Sequence, residues 1–349
     1  MLTFCTLFDS NYLDKGLVLY RSMEKVMPEF KVYILAMDDK CYTILNAMNL
    51  AKAKIISLQE FEDEEMIELK KQRSRAEYCW TCTASLIDYV FENYQESYCT
   101  YIDSDLFFYK NPKVLIDEMN EAGCSVQIVE HGFGTGRRAD RQVRNSGRFC
   151  VQFNTFKNDV HGREVLSVWK GQCRAHCSME TNEMGDQKYL SDWPEKYEKV
   201  HVLEHQGGGV APWNIIRYRN ARGRKGYLTD KKTKNEFELI FYHFHQLEYM
   251  EDGFVNINAF KHGFGMDKKM IYEIYIPYLK RIEETKKELS EKYGFSPMIK
   301  SHPGFVKKTK EEKKEAVKNM GFMELLERVE EKIIYLQGKK KDIIDLKKL

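Results

Sequence analysis

The segment Cys99–Pro112, CTYIDSDLFFYKNP, ends an apolar run with two carboxylates, Asp103 and Asp105, with Ser104 between them and aromatic residues directly after. In an extended chain residues two apart point the same way, so Asp103 and Asp105 share a face while Ser104 points elsewhere. Two carboxylates a few ångström apart repel, and one takes up a proton unless a cation lies between them. A divalent ion resolves the conflict. Oxygen ligands suit Mg²⁺ or Mn²⁺, and a nearby imidazole moves the preference towards Mn²⁺. The segment YHFHQ offers that imidazole as His243 or His245 on a late strand; one would face the metal, and the other would belong to the opposite face or to hydrogen bonding. In a chain with 53 acidic residues a DxD is common by chance. Its place at the end of a buried strand, where unpaired charge is costly, favours a metal site over solvent-facing acids or structural ion pairs.

Nine cysteines are an odd number in a long chain whose start, MLTFCTLFDSNYL, lacks the basic and long apolar stretches of a secretory leader. They are read as free thiols in a reducing, cytoplasmic compartment. Cys79 and Cys82 form a CxxC, and Cys173, His176 and Cys177 cluster in GQCRAHC; together these could supply zinc ligands. The first pair lies within helical spacing, so core packing is the favoured account.

Strand-like and helix-like segments alternate through the first half. LTFCTLF, FKVYILAM and AKIISL read as strands, separated by the helical patterns LDKGLVLYRSMEKV and CYTILNAMNL; TCTASLIDYVFENY then leads into CTYIDSD, and GCSVQIV, FCVQFNTF and LIFYHFH follow as later strands. This order predicts an α/β fold, a mostly parallel sheet with helices on both faces. Such sheets bind ligands at the carboxyl ends of their strands, where Asp9, Asp103 and Asp105 all fall. GFGTGRRADRQVRNSGRF, rich in Gly and Arg, shows no clear periodicity and is expected to be a mobile loop over the site or an ordinary surface excursion. GGGVAPWN, from Gly207, suits a turn near a phosphate or a purely structural one.

The 349 residues are 43% hydrophobic, which supports a sizeable core, and a net charge of +2 gives no basic excess of the kind nucleic-acid binders show. No apolar run approaches the roughly 20 residues that span a bilayer. From Tyr278 the composition turns to charged helices, a C-terminal helical extension over 278–349 behind a main domain of 1–277. Val329, Ile333, Ile334 and Leu336 form an apolar stripe, and Lys339, Lys340, Lys341, Lys347 and Lys348 gather near the end. Such a helix is a solvated cap or a peripheral contact with an anionic membrane, the cap being favoured.

YIDSDLFFYKNP resembles the DxD segment of GT-A-fold (Rossmann-like) glycosyltransferases, especially retaining enzymes of glycosyltransferase family 8 and related bacterial enzymes of surface-polysaccharide synthesis. The resemblance continues in order over roughly residues 2–246. CTLFDSNYLDKGLVLYRSM resembles the strand and turn that hold the nucleotide, which implicates Thr6, Asp9 and Asn11, with Ser104 on the same side. VQFNTF implies that Asn154 contacts the donor sugar, and GDQKYL implies that Asp186 and Gln187 lie at the reacting carbon. FYHFHQ resembles the strand that supplies the third metal ligand; order favours His243 over His245, and Gln246 stands where the family has glycine. The resemblance leaves open which arginine, Arg73 or Arg75 among the candidates, meets the diphosphate. It implies a metal-dependent hexosyltransferase with Mn²⁺ or Mg²⁺, a nucleotide-diphosphate sugar as donor and a saccharide or lipid-linked acceptor, the nucleotide bound in the first half of 1–277 and the acceptor in the second. A metal-dependent phosphoesterase or nucleotidyltransferase, and a binding protein without turnover, are the competing classes. Trp213, Tyr242 and Phe244 could stack on sugar or base, or belong to the core.

Overall fold

The computed structural model describes residues 1–179, 185–259, 266, 268–297, 299 and 343–348. A seven-stranded sheet forms its centre, built from β1 (Leu2–Phe8), β2 (Phe30–Ala36), β3 (Ala53–Ser57), β4 (Tyr98–Ile102), β6 (Val126–Glu130), β7 (Phe149–Lys157) and β8 (Val200–Val202), in the order β3-β2-β1-β4-β7-β6-β8. Neighbours pair in parallel except on both sides of β7, which runs against β4 and β6. This is the α/β class expected from the alternating pattern.

Helices α1 (Leu13–Val26), α2 (Asp39–Ala47), α3 (Leu58–Phe61), α4 (Glu64–Gln72), α5 (Arg75–Tyr94), α6 (Lys113–Glu121), α7 (Arg137–Ser146), α8 (Val160–Ala175) and α9 (Trp193–Lys196) fill the connections. The alternation within β1 shows why both faces must be covered. Phe4 and Phe8 pack with Leu17, Ile44 and Met119 of α1, α2 and α6, whereas Cys5 and Leu7 pack with Cys82, Leu86 and Trp169 of α5 and α8. The segment expected to be an irregular loop, 132–150, contains α7. It shows no apolar period because Ala139 is the only buried residue of that helix, so hydrophobic spacing carries no signal there.

A short strand β5 (Leu106–Phe108) follows β4 directly. Beyond the main sheet lie β9 (Tyr218–Asn220), β10 (Tyr227–Asp230) and β11 (Glu236–Glu238) as an antiparallel triplet, then β12 (Phe241–His243), and finally β13 (Glu248–Met250), β14 (Phe254–Asn256) and β15 (Ile343–Asp345) as another. β12 pairs antiparallel with β5, His243 opposite Leu106. That pairing brings the late histidine to the DxD turn.

Helices α10 (Lys268–Met270) and α11 (Ile276–Tyr293) follow. Tyr278, Leu279, Ile282 and Leu289 of α11 are buried in the core, the Tyr278 ring stacked 3.7 Å from Phe244, while Arg21 of α1 donates to Thr285 at 2.7 Å. The first helix of the charged tail is therefore packed into the main body. The stripe at Val329–Leu336 and the lysines at 339–341 lie outside the described residues. No described helix is long and apolar enough to cross a membrane.

Candidate active site

β4 ends at Ile102, and the chain turns through Asp103 and Ser104 before β5 begins at Leu106. The turn is fixed by its backbone: the Asp103 amide donates to the Gln152 carbonyl at 3.2 Å, and the Phe244 amide to the Asp105 carbonyl at 2.9 Å. His243 is 3% exposed, with Nε2 2.9 Å from Asp105 Oδ1 and 3.8 Å from Asp103 Oδ2. Its Nδ1 lies 2.8 Å from Gln152 Oε1. A proton on Nδ1 donated to that amide oxygen turns Nε2 towards the carboxylates, the outer-shell arrangement that orients a ligating histidine.

His245 joins the same cluster: one ligand atom each from Asp105, His243 and His245 lies within 4.8 Å of the others. Of the two places expected for the second histidine, the opposite face does not hold. Residues two apart share a side, and Phe244 between them turns into the core against Tyr278. Two imidazoles with carboxylate oxygens form a mixed nitrogen and oxygen donor set that fits Mn²⁺ better than Mg²⁺. In the protein alone, burial pushes the Asp103 carboxyl up to about 6, with His243 opposing and Asp105 adding to the rise. Burial acts on Asp105 too, but His243 outweighs it and holds this carboxyl below the ordinary range; His243, despite its burial, is raised well above its usual value chiefly by Asp105. A proton thus bridges His243 and Asp105, and a divalent cation competes for the same electron pairs.

These groups line a cavity of about 580 Å³. Asp9, Asn11, Ser104, Asp186 and Gln187 line it with Asp103, Asp105 and His243, so eight of the ten residues marked out in the sequence meet there. Thr6 and Asn154 do not line it. Both are buried inside strands, with the Thr6 hydroxyl and the Asn154 amide lacking any hydrogen-bond partner among the described residues. Asp9 accepts the amides of Asn11 (2.7 Å) and Tyr12 (3.2 Å) and pairs with Arg75, which also meets Asp38 at 3.0 Å. A reciprocal cap between Ser74 and Glu77 starts α5 at Arg75 and presents this guanidinium to the cavity. Arg73 faces away, bound to the Cys173 carbonyl at 2.7 Å.

Asp186, 5% exposed, has its carboxyl raised to about 7 by burial, with a Thr83 hydrogen bond opposing and Asp103 adding. Its carbonyl accepts the Trp169 indole at 2.9 Å, and Gln187 Nε2 donates to the Ser146 carbonyl at 2.8 Å, which ties this turn to α7. Trp213 stands on the wall with His131 (5.3 Å between ring centres), His243 (5.1 Å) and His245 (5.4 Å); Tyr242 and Phe244 are core residues instead.

The sequence did not single out Gln152, Tyr12, Trp80 or His131 as site residues. Gln152 had a weak signal, since it lies two positions before Asn154 in the same strand. The GGGVAPWN turn is structural: a side chain at Gly207 would collide with the Glu238 carbonyl oxygen, and one at Gly208 with Leu203 and Leu115. Among the described residues, the cysteines and His176 form no grouping with metal-ligand spacing; Cys82 and Cys173 are buried in the core.

No family model matches the sequence. Related sequences include the uncharacterized protein YfnD of Bacillus subtilis (strain 168), 27% identical over 304 residues, which spans 84% of this chain and 94% of that protein. A second, YfnF of the same organism, is 29% identical over 249 residues, 69% of this chain and 80% of that protein. Solved structures of similar shape include mouse xyloside xylosyltransferase 1, with a TM-score of 0.44 at 12% identity over 70% of this chain and 98% of that one. The glycosyltransferase GlyE of Streptococcus pneumoniae TIGR4 has a TM-score of 0.48 at 14% identity over 86% of this chain and 66% of that one.

Proposed function

We propose that this chain is a GT-A-type glycosyltransferase that moves a hexose from a nucleotide-diphosphate sugar to a saccharide or lipid-linked acceptor, in bacterial surface-polysaccharide synthesis and with retention. The observation that carries the proposal is the convergence of Asp103, Asp105, His243 and His245 in one cavity that Asp9, Asn11, Arg75, Asp186 and Gln187 also line. A divalent ion held there supplies Lewis-acid neutralisation of the charge that builds on a departing diphosphate.

The chain's own groups divide the remaining work. Asp9 fixes the backbone of Asn11 and Tyr12, so that the Tyr12 ring, 40% exposed at the cavity, offers a face for a base. Arg75 is held by two carboxylates and swings between them and a phosphate. Asp186, whose carboxyl titrates near neutrality, holds a proton at a sugar hydroxyl or stands as a carboxylate beside the electron-poor sugar carbon. Gln187 positions the sugar from its tether on Ser146. The likeness of the five segments to family 8 enzymes supports retention.

A phosphoesterase or nucleotidyltransferase that works with two metals needs a second acidic cluster, and among the described residues only the grouping of Asp105, His243 and His245 has ligand spacing. Incubation with radiolabelled nucleotide sugars and Mn²⁺ tests the proposal. Slow release of free sugar, abolished by chelation, is expected even without the acceptor. Release of phosphate from simple monoesters, with every nucleotide sugar left intact, would replace it with the competing class.

A further inference from the structure

Helix α1 begins Leu13, Asp14, Lys15, Gly16, and both of its first charged residues are buried: Asp14 is 0% exposed and Lys15 6%. An ammonium taken out of water is costly unless its surroundings replace the lost hydration. Around Lys15 the replacement comes from two segments far apart in sequence. Its Nζ stands 4.0 Å from the centre of the Tyr12 ring and donates to the Leu247 carbonyl at 3.4 Å. Asp14 grips the same later segment, because its carboxyl accepts the Tyr249 hydroxyl at 2.5 Å along with the Lys15 amide at 2.9 Å. Lys286 of α11 lies 4.4 Å from that Tyr249 ring.

The gripped segment starts two residues after His245. Between them the chain turns: the Leu247 amide donates to the Phe244 carbonyl at 3.3 Å, and Gln246 takes a left-handed backbone at φ 58°, which is costly for a residue with a side chain. A turn closed by one long hydrogen bond around an unfavourable residue keeps its shape through ties from outside. Asn258, just after β14, supplies one, its Nδ2 donating to the Gln246 carbonyl at 2.6 Å. Lys15 supplies another from α1, and this tie alone of the two also reaches Tyr12, which lines the cavity.

We propose that Lys15 is a positioning residue that couples base binding to metal binding: one ammonium braces the Tyr12 ring for a nucleobase and the turn that holds His245 at the metal cluster. The proposal rests on the glycosyltransferase reading for the nature of the ligand. A base stacked on Tyr12 fixes the ring, the ring holds the ammonium by its π face, and the ammonium holds the carbonyl beyond His245. The ordering cost met by the first ligand is then not met again by the second. Linkage makes the effect reciprocal, so base and ion raise each other's affinity by the same factor.

A diphosphate would bridge base and ion by itself, so the test uses nucleosides, which carry no phosphate. Mn²⁺ affinity of the full chain is read from the electron paramagnetic resonance of the free ion, with and without uridine, guanosine, adenosine, cytidine or thymidine in excess. In the native chain one nucleoside is expected to tighten Mn²⁺ binding by about fivefold or more, the low end of ordinary coupling between sites. Lys15→Met keeps the length of the side chain without its charge, and Lys15→Gln keeps a donor for the carbonyl but no charge over the ring; both are expected to lose the coupling, and its loss in whichever variant folds sustains the proposal. Asn258→Gly removes the other tie at a residue whose own backbone is left-handed, φ 50°, and should weaken Mn²⁺ binding while the coupling factor stays as in the native chain. A Lys15 that merely supported the turn would behave like Asn258. The factor is a ratio taken within one folded variant, so a change in stability does not enter it. The proposal is overturned if no nucleoside alters Mn²⁺ affinity in the native chain, or if the coupling survives in either Lys15 variant. Titration of nucleoside diphosphates with Mn²⁺ separates the two levels: if they bind and either of those results is found, only the role of Lys15 falls, whereas if none binds, the glycosyltransferase reading falls and takes this proposal with it.

Discussion

At the level of single residues, Gln152 and Asp105 do different work on the same imidazole. Gln152 accepts from His243 Nδ1 and so sets which nitrogen faces the carboxylates, whereas Asp105 meets the other nitrogen directly. Gln152→Leu is expected to weaken Mn²⁺ binding by about 10–100-fold without loss of fold, the usual effect of removing an outer-shell partner. Asp105→Ala should cost more than that, as seen in Mn²⁺-dependent binding of a nucleoside diphosphate. Asp186 gives a prediction with a sign. Its carboxyl is raised in the fold to about 7, so its contribution to stability is fully present below the unfolded value near 4 and is lost as pH rises through 7. Asp186→Asn removes that penalty. Urea titrations should show the variant gaining on the native chain between pH 4.5 and 7.5, by about 3 kcal/mol, while sugar release falls. An equal difference at both pH values would show that Asp186 is not charged at a cost in the fold.

At the level of elements, the site depends on backbones that approach closely. The turn at Gly207 and Gly208 lies against Glu238, Leu203 and Leu115, and the Gly207 carbonyl accepts the Ile240 amide at 3.1 Å just before β12 begins. A methyl group at Gly207 has to push aside the Glu238 carbonyl at the end of β11, three residues before the start of β12, which carries His243. Gly207→Ala is expected to destabilise the protein by roughly 1–3 kcal/mol or more and to weaken Mn²⁺ binding with it. Gly171 lies in α8 with nothing near the place of a side chain. Gly171→Ala should stabilise by about 0.5–1 kcal/mol and leave metal binding untouched, so the two variants separate close approach from helix propensity in one denaturation experiment.

At the level of the whole molecule, the charged tail is continuous with the body at its start. Tyr278, Leu279, Ile282 and Leu289 are each buried, and at about 1.5–3 kcal/mol for each large apolar side chain their sum rivals the entire stability of a typical domain. A chain ending at residue 277 is therefore expected to show no cooperative melting transition and rapid proteolysis. One ending at residue 297, after α11, should show less of either defect. Burial of the Phe244 ring beneath Tyr278 also links α11 to the loop that holds His245, so Tyr278→Ala should lower Mn²⁺ affinity along with stability.

The sequence alone determined what local pattern can encode. Alternating strand and helix periods gave the α/β class, and an apolar run ending in two acids marked the turn at Asp103 and Asp105, because burial and charge conflict within a few residues. Asp9 was marked by its place at the end of the first strand, whereas Asp186 and Gln187 entered only through the resemblance to glycosyltransferase segments; all three line the cavity. The tertiary structure alone decided the rest. Pairing of β12 with β5 brings His243 beside Asp105, the turn after β12 carries His245 to the same cluster, and β7 supplies Gln152 from another part of the chain. α7 escaped detection because a helix without an apolar stripe leaves no period to read, and Thr6 and Asn154 stayed inside their strands because residue type does not say which way a fully buried strand turns a side chain. Contacts between distant segments depend on how whole elements pack, and no window of neighbouring residues contains that information.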